Sequence, residues 1–534
     1  MKSIPSFLCV GVALLGSIAC GNSVNQGSGV IPTAGAGPTP SSSSAGGTGP
    51  TYSQAGSGND IIVPETAGAS SSGTQCAPGN TTTISGIVYD PAGKNPLYNI
   101  SVFVLDPSSP LPDLEKIPIS CGCSQLLPAK VAAIGAPTDA AGHFEIPCAP
   151  SGNVTLVVQA GKWRRTYDNI NVVANQQNVI PNLRLPANSS EGSLPNIAIS
   201  TGGSDSFECL PLRIGVSASE YVAGSAAGGH VHIYTGLRGA TPATGAVESY
   251  KTLWDSQAHL NEHDVVILSC EGAETTGGIA GTRGNPGAPP LNAATQQYLM
   301  NYANAGGRVF ASHFQYAWFN TGPFASGDQQ LATWTTGMGG LDDTISFPAE
   351  VNTTLTGGVA FPEGAALQQW LGLVGALTNN QLPVWFVRSN VQALAQPPST
   401  EWLHLASSSP KAPSATQYFS ADTPIGSSGD KVCGRVVYSA LHVSGGADKN
   451  APGVPVDYPS GTGGASSTGG AGGAGGRTGG GMMGGGVAPQ QGGTVPSGCA
   501  MHPLTPQELA LEFMFFDLSS CLVPIGQEPP VIPK

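Results

Sequence analysis

Three modes of hydrophobic patterning divide the chain. Residues 20–79 are built from Gly, Ser, Thr, Ala and Pro with almost no charge and no periodicity. From Thr81 apolar positions alternate with period two: Ile84 and Val88, then Ile100, Val102 and Val104, then Val154, Leu156 and Val158. Alternation of this kind sends successive side chains to opposite faces of a strand. Asp90-Pro91-Ala92-Gly93 and Pro150-Ser151-Gly152 supply turns between the runs. Short strands with regular turn signals predict a β-sandwich over 80–195.

From Cys209 onward the pattern changes to continuous apolar runs separated by helical spacing. Leu212 to Val216, Val231 to Tyr234, Asp264 to Leu268, Val309 to Ala311 and Val436 to Tyr438 read as strands buried on both faces. Residues 248–260 fit a helix. Asn292 is a fitting N-cap for a second helix, along which Ala294, Tyr298, Tyr302 and Ala305 recur at helical spacing before Gly306 stops it. Residues 335–430 are less regular, with Trp370, Trp385 and Trp402 as packing anchors. A Gly-rich stretch, 458–498, has no packable core and predicts a disordered insert. Thr505-Pro506-Gln507-Glu508 then forms a capping box for a closing helix with the stripe Leu509, Phe513 and Phe516. Alternating strands and helices over 208–457 and 499–524 predict an α/β domain with a mostly parallel sheet. Residues 525–534 remain as a tail.

Composition narrows the function. Only 10% of residues are charged, the net charge is −13, and no basic run occurs, so nucleic acid is excluded as a partner. Residues 1–19 carry Lys2, an apolar core from Phe7 to Leu15 and the small-residue approach Ser17-Ile18-Ala19, which predicts an export signal. Cys20 follows directly. No later run reaches the length of a membrane-spanning helix. Of eleven cysteines, nine lie beyond Cys9 and Cys20, an odd number in a compartment that permits disulfides. Their connectivity does not follow from spacing, although Cys148 lies near Cys121 and Cys123 in sequence and could bridge to one of them. The spacings form no zinc ribbon. His230-Val231-His232 places two imidazoles on one face of a strand, without a third ligand in sequence; packing or surface histidines are the preferred reading, and no metal or cofactor is expected.

Three resemblances follow from these residues. The signal followed by Cys20 resembles that of bacterial lipoproteins, with Ser17 departing from the usual leucine; it implies lipidation of Cys20 and anchorage at the outer membrane or cell surface. The run Gly86-Ile87-Val88-Tyr89-Asp90-Pro91-Ala92-Gly93, the strand Val102 to Val104, Thr138-Asp139-Ala140-Ala141-Gly142-His143-Phe144 and Pro150-Ser151-Gly152 together resemble the carboxypeptidase regulatory-like domain, a transthyretin-like β-sandwich with an interaction role. An insertion, 107–136, departs from that pattern.

The strand ending at Cys270, the segment Gly306 to His313 and the segment Gly434 to His442 resemble the class I glutamine amidotransferase-like fold, a flavodoxin-like α/β layer, and within it the trehalose-utilisation (ThuA-like) type. The family places a cysteine nucleophile on an elbow and activates it through a later His-x-Glu. Here the elbow reads Ala311-Ser312-His313 and the later motif His442-Val443-Ser444. Both departures remove the family's chemistry. Cys270 ends a different strand and reads as a buried or disulfide cysteine.

The expectation is therefore a multidomain envelope lipoprotein: signal peptide 1–19, tether 20–79, sandwich 80–195, and a degenerate α/β domain with a binding or interaction role. Its partners would be the membrane, through the lipid anchor, and carbohydrate or another envelope protein. The candidate site is Ser312, His313, His442, Glu271 and Cys270, with Tyr316 and Trp318 as flat faces for a sugar. The alternative is a carbohydrate-active or other hydrolase using His313 and His442, with Ser312 as hydroxyl nucleophile and Glu271 as orienter; a third is a purely structural envelope protein.

Overall fold

A computed structural model describes residues 61–62, 76, 78–237, 239–242, 248–272, 291–442, 495–496, 499 and 501–532. The export signal, Cys20, nearly all of the tether and most of the Gly-rich insert lie outside the described residues. Among those described, β-structure dominates, in sheets of six, ten, two and three strands with few helices.

The N-terminal part forms two facing sheets. Thr83–Tyr89 lies between His143–Ile146 and Gln177–Arg184 in the smaller. In the larger, Ser101–Leu105 lies between Lys130–Ile134 and Gly152–Ala160. Ile84, Val88, Val102, Val104, Leu156 and Val158 fill the space between the sheets, as the period-two pattern requires. The tether does not stop contributing at residue 79. Its Ile61–Ile62 pairs antiparallel with Lys130–Ile134 on the sheet edge, because this is the tether's β-branched run, and Cys76 is bonded to Cys148.

The ten-stranded sheet has a parallel half and an antiparallel half. Tyr221–Ala223, Val231–Tyr234, Ile197–Ser200, Val265–Leu268, Arg308–Ser312 and Gly434–Ser439 lie side by side in that spatial order, each parallel to its neighbour. The antiparallel half follows: Thr416–Thr423, Ser399–Leu405, Phe347–Val351 and Leu382–Val384. The irregular 335–430 region is thus largely an extension of the sheet. Trp370 and Trp402 are buried in its packing, while Trp385 is half-buried.

Three sequence expectations change here. Leu212 to Val216 is not a strand; Leu210–Arg213 is a helical turn with Pro211 in its first positions, where the missing N–H costs nothing. The central strand is instead Ile197–Ser200, upstream of the expected domain start at 208. The helix over 248–260 is broken into Tyr250–Trp254 and Gln257–Leu260, because Ser256 starts a new turn by accepting from the His259 amide. By contrast, Ala293–Asn304 is capped by Asn292, whose side chain accepts from Ala294 and Thr295 amides, and it ends before Gly306 at φ +114°. A Cβ at Gly306 would stand 2.3 Å from the Ser120 carbonyl oxygen, so a glycine is required there for the 107–136 insertion to dock.

The closing helix, Pro506–Ser519, carries the expected capping box. It is buried on nearly every side rather than on one stripe, as a helix apolar all round must be. Phe515 and Phe516 pack against Trp163 of the sandwich, and Phe513 meets Tyr98 and Trp370. Its Glu508 pairs with Arg213, both fully buried. Asp517 and Asp422 flank the Arg435 guanidinium. Cys148 does not bridge to the insertion. Instead Cys121 bonds Cys433 and Cys123 bonds Cys521, so the insertion staples the sandwich to the large sheet. Cys209–Cys499 ties the segment ahead of the closing helix to the 3₁₀ turn Phe207–Cys209. In the 525–532 tail, Val531 and Ile532 pack beside Phe103 and Leu127.

Candidate functional site

The ends of the parallel strands bring the candidate residues together. Val265–Leu268 leads into Ser269, Cys270 and Glu271. Arg308–Ser312 ends at Ser312 and passes into a 3₁₀ helix, His313–Trp318. Gly434–Ser439 leads to His442. Parallel pairing holds the strands in register, with Leu268 beside Ala311 and Ser312 beside Ser439.

His313 turns the chain at φ +38°. A side chain with a Cβ rarely occupies that region, and the strain of such a residue is on the order of 1–3 kcal/mol. Surrounding bonds hold it there. The Tyr438 hydroxyl donates to the His313 carbonyl at 2.9 Å. His313 Nε2 lies 3.0 Å from the Met338 carbonyl oxygen; a carbonyl only accepts, so Nε2 carries a hydrogen. In the neutral ring Nδ1 then bears the lone pair. That lone pair faces His442 Nε2 at 2.8 Å and Cys270 Sγ at 3.3 Å.

His442 is held from behind. Gln507, at the start of the closing helix, donates through Nε2 to the His442 carbonyl at 2.7 Å, and its Oε1 accepts from the Trp385 amide at 2.8 Å. Ser312 is engaged on both sides: its hydroxyl donates to Asp205 at 2.7 Å and accepts from the Cys270 amide at 2.9 Å. Cys270 is a free, fully buried thiol. Burial, with the Asp205 carboxylate beside it, pushes its pKa up to about 12, so the thiol stays protonated at neutral pH. Arg388 acts in the opposite direction while paired with Asp343.

Glu271 follows Cys270 in the chain, but its side chain is directed elsewhere. Oε1 accepts from the Leu237 amide at 3.1 Å, and burial raises its pKa to about 8. It is therefore a protonated acid anchoring the 231–237 segment. Tyr316 and Trp318 are fully buried. Tyr316 stacks on Trp334 and accepts from the Gly337 amide, and Trp318 meets Trp254 edge to face. Neither presents a flat face to solvent. His230 contacts Glu220 at 2.6 Å, and His232 contacts the Gly224 carbonyl oxygen at 2.8 Å and packs against His263. The two therefore part rather than share a ligand.

The structure thus joins Cys270, His313 and His442, with Ser312 alongside, while the side chains of Glu271, Tyr316 and Trp318 are engaged elsewhere. Asp205, Tyr438 and Gln507 were missed from the sequence. Asp205 lies in a Ser/Gly-rich segment with no periodic signal, and Gln507 reads simply as a position in the capping box.

No protein-family model matches the chain, and no curated protein matches it. Among solved structures, a cytoplasmic protein from Salmonella typhimurium aligns at 13% identity over 47% of this chain and 89% of its own, with a TM-score of 0.24. Two interface mutants of a type II cohesin–X–dockerin complex from Acetivibrio cellulolyticus align at 14% and 15% identity. They cover 23% and 28% of this chain and 76% and 88% of their own, with TM-scores of 0.14 and 0.15. Likenesses this low carry no argument about function.

Proposed function

We propose that the chain is an exported envelope lipoprotein, anchored through Cys20, whose amidotransferase-like α/β layer serves in binding rather than in hydrolysis. The transthyretin-like sandwich acts as an interaction module, and the partner is a carbohydrate or another envelope protein. The α/β reading draws support from strand order. The six parallel strands, numbered in chain order from Ile197–Ser200, are arranged 2-3-1-4-5-6; without the three-residue edge strand Tyr221–Ala223 the remaining five follow the flavodoxin-like order 2-1-3-4-5, which places ligands at the carboxyl ends of strands. Four disulfides favour an oxidising, exported setting.

The observation that favours this reading over hydrolysis is the enclosure of the centre. Cys270, His313, His442 and Ser312 are all buried, the thiol is kept protonated, and the Ser312 hydroxyl is committed to Asp205. Nucleophilic catalysis needs an activated nucleophile within reach of the substrate. The test is a panel of glycoside, ester and amide substrates alongside a glycan-binding screen, with membrane fractionation of the Cys20→Ala protein. Binding without turnover, and release from the membrane on Cys20→Ala, are expected. Turnover that is lost in His313→Ala or His442→Ala protein that still folds contradicts the reading.

One contact favours a second reading. Cys270 Sγ within 3.3 Å of an imidazole nitrogen is the pairing of a cysteine nucleophile with its base. A hydrolase of that kind requires the centre to open and Cys270 to react with electrophiles in the native protein.

A further inference from the structure

We propose that Cys270, His313 and His442 form a mononuclear site for a borderline-soft transition cation such as Zn²⁺ or copper. The inference rests on the binding reading above and names a ligand class for that same centre. The Cys270 sulfur and one nitrogen from each histidine lie within 4.8 Å of one another, and all three residues are buried. One thiolate and two imidazoles are the donor set that such ions prefer.

Hydrogen accounting points the same way. The Met338 carbonyl fixes the hydrogen of His313 on Nε2, leaving one lone pair on Nδ1. With that tautomer, the 2.8 Å contact calls for a hydrogen on His442 Nε2, and Cys270 Sγ at 3.3 Å faces the same lone pair. A cation between the three atoms engages all of them. Cys270 loses its thiol proton to solvent and binds as thiolate, His313 binds through Nδ1, and His442 shifts its hydrogen to Nδ1 and binds through Nε2. No electron is transferred. Tetrahedral metal–nitrogen bonds set nitrogen–nitrogen separations of about 3.3 Å, so the 2.8 Å pair has to open by about half an ångström.

The surroundings of His313 match those of a metal-bound histidine. A ligating imidazole typically donates its other N–H to a carbonyl or carboxylate, which fixes tautomer and orientation; Met338 does this for His313. Tyr438 and Gln507 clamp the backbones of His313 and His442. Among the described residues, every other cysteine is in a disulfide. A single reduced thiol kept beside two imidazoles in such a chain is explained by ligation. Three protein ligands leave a fourth position for a small anion, water or a partner's donor atom.

The test uses the full chain carrying Cys9→Ser and Cys20→Ser, stripped with a chelator and titrated with Co²⁺ alone, then Zn²⁺. The expected result is one equivalent of Co²⁺ giving a thiolate-to-metal charge-transfer band that Zn²⁺ abolishes. Cys270→Ser removes the band, and His442→Ala weakens binding by at least about 100-fold, beyond the usual loss for an outer-sphere partner. His442→Ala keeps the backbone carbonyl to which Gln507 donates, and the band in the unmodified centre decides the matter if that variant fails to fold. A folded protein with no band, or a band that survives Cys270→Ser, overturns the site. Glycan binding without metal binding refutes the site and leaves the binding reading standing. Metal binding accompanied by turnover refutes the binding reading and leaves the site standing.

Discussion

His442 Nε2 stands 2.8 Å from His313 Nδ1, although 129 residues separate the two in sequence. The contact exists because the strands that lead into them, Arg308–Ser312 and Gly434–Ser439, are parallel neighbours. The closing helix completes the arrangement through Gln507, so the centre depends on a helix that follows the Gly-rich insert in sequence.

Arg213 and Glu508 join the helical turn after the central strand to the start of the closing helix. Glu508 also accepts from the Thr505 amide at 2.8 Å. Arg213→Leu leaves a buried carboxylate without its partner and is expected to cost about 3–5 kcal/mol. Adding Glu508→Gln should restore part of that loss. Denaturant unfolding of both variants measures it.

The insertion 107–136 departs from the sandwich family's pattern, and the two disulfides give it a physical role. Cys123–Cys521 and Cys121–Cys433 span 398 and 312 residues. Removing the first by Cys123→Ser with Cys521→Ser is expected to cost about 2–5 kcal/mol, read by thermal unfolding. Limited proteolysis should then cut first in 107–136. A variant as stable as the parent would mean that the staple is redundant.

Glu271 gives a signed pH dependence. Burial raises its folded pKa from 4.5 to about 8, so the folded protein holds this proton more tightly than the unfolded chain. Its contribution to stability is fully present below about pH 4.5, falls as pH rises through the window, and is lost above about pH 8. Glu271→Gln removes the titration. The variant should gain on the wild type as pH rises, by an amount on the order of a few kcal/mol above pH 8. Melting curves from pH 4 to 9 with equal slopes would contradict this.

Much of the fold was legible because buried parallel strands announce themselves. Asp264 to Leu268, Val309 to Ala311 and Val436 to Tyr438 are apolar runs, and all three are strands at the centre of the large sheet. Ile197–Ser200 escaped because it is four residues long and includes one alanine and one serine; tertiary pairing on both sides, not propensity, makes it a strand. Leu212 to Val216 misled in the opposite sense, since Pro211 starts a helical turn. Ser312, His313 and His442 were legible as strand-end residues. The role of Cys270 was not, because its partners come from two other strands. Tyr316 and Trp318 illustrate the limit: aromatic residues near a site read as a platform, yet both are consumed by packing.

The most direct test of the central claim, an enclosed centre that holds a ligand rather than cleaving one, is the reactivity of Cys270 toward an alkylating reagent at pH 8, with Cys9 and Cys20 replaced by serine. The account predicts that the native protein is not labelled at Cys270, that unfolding exposes one reactive thiol, and that refolding protects it again. Rapid stoichiometric labelling of Cys270 in the native protein, suppressed by His313→Ala, would contradict the account and establish an activated nucleophile.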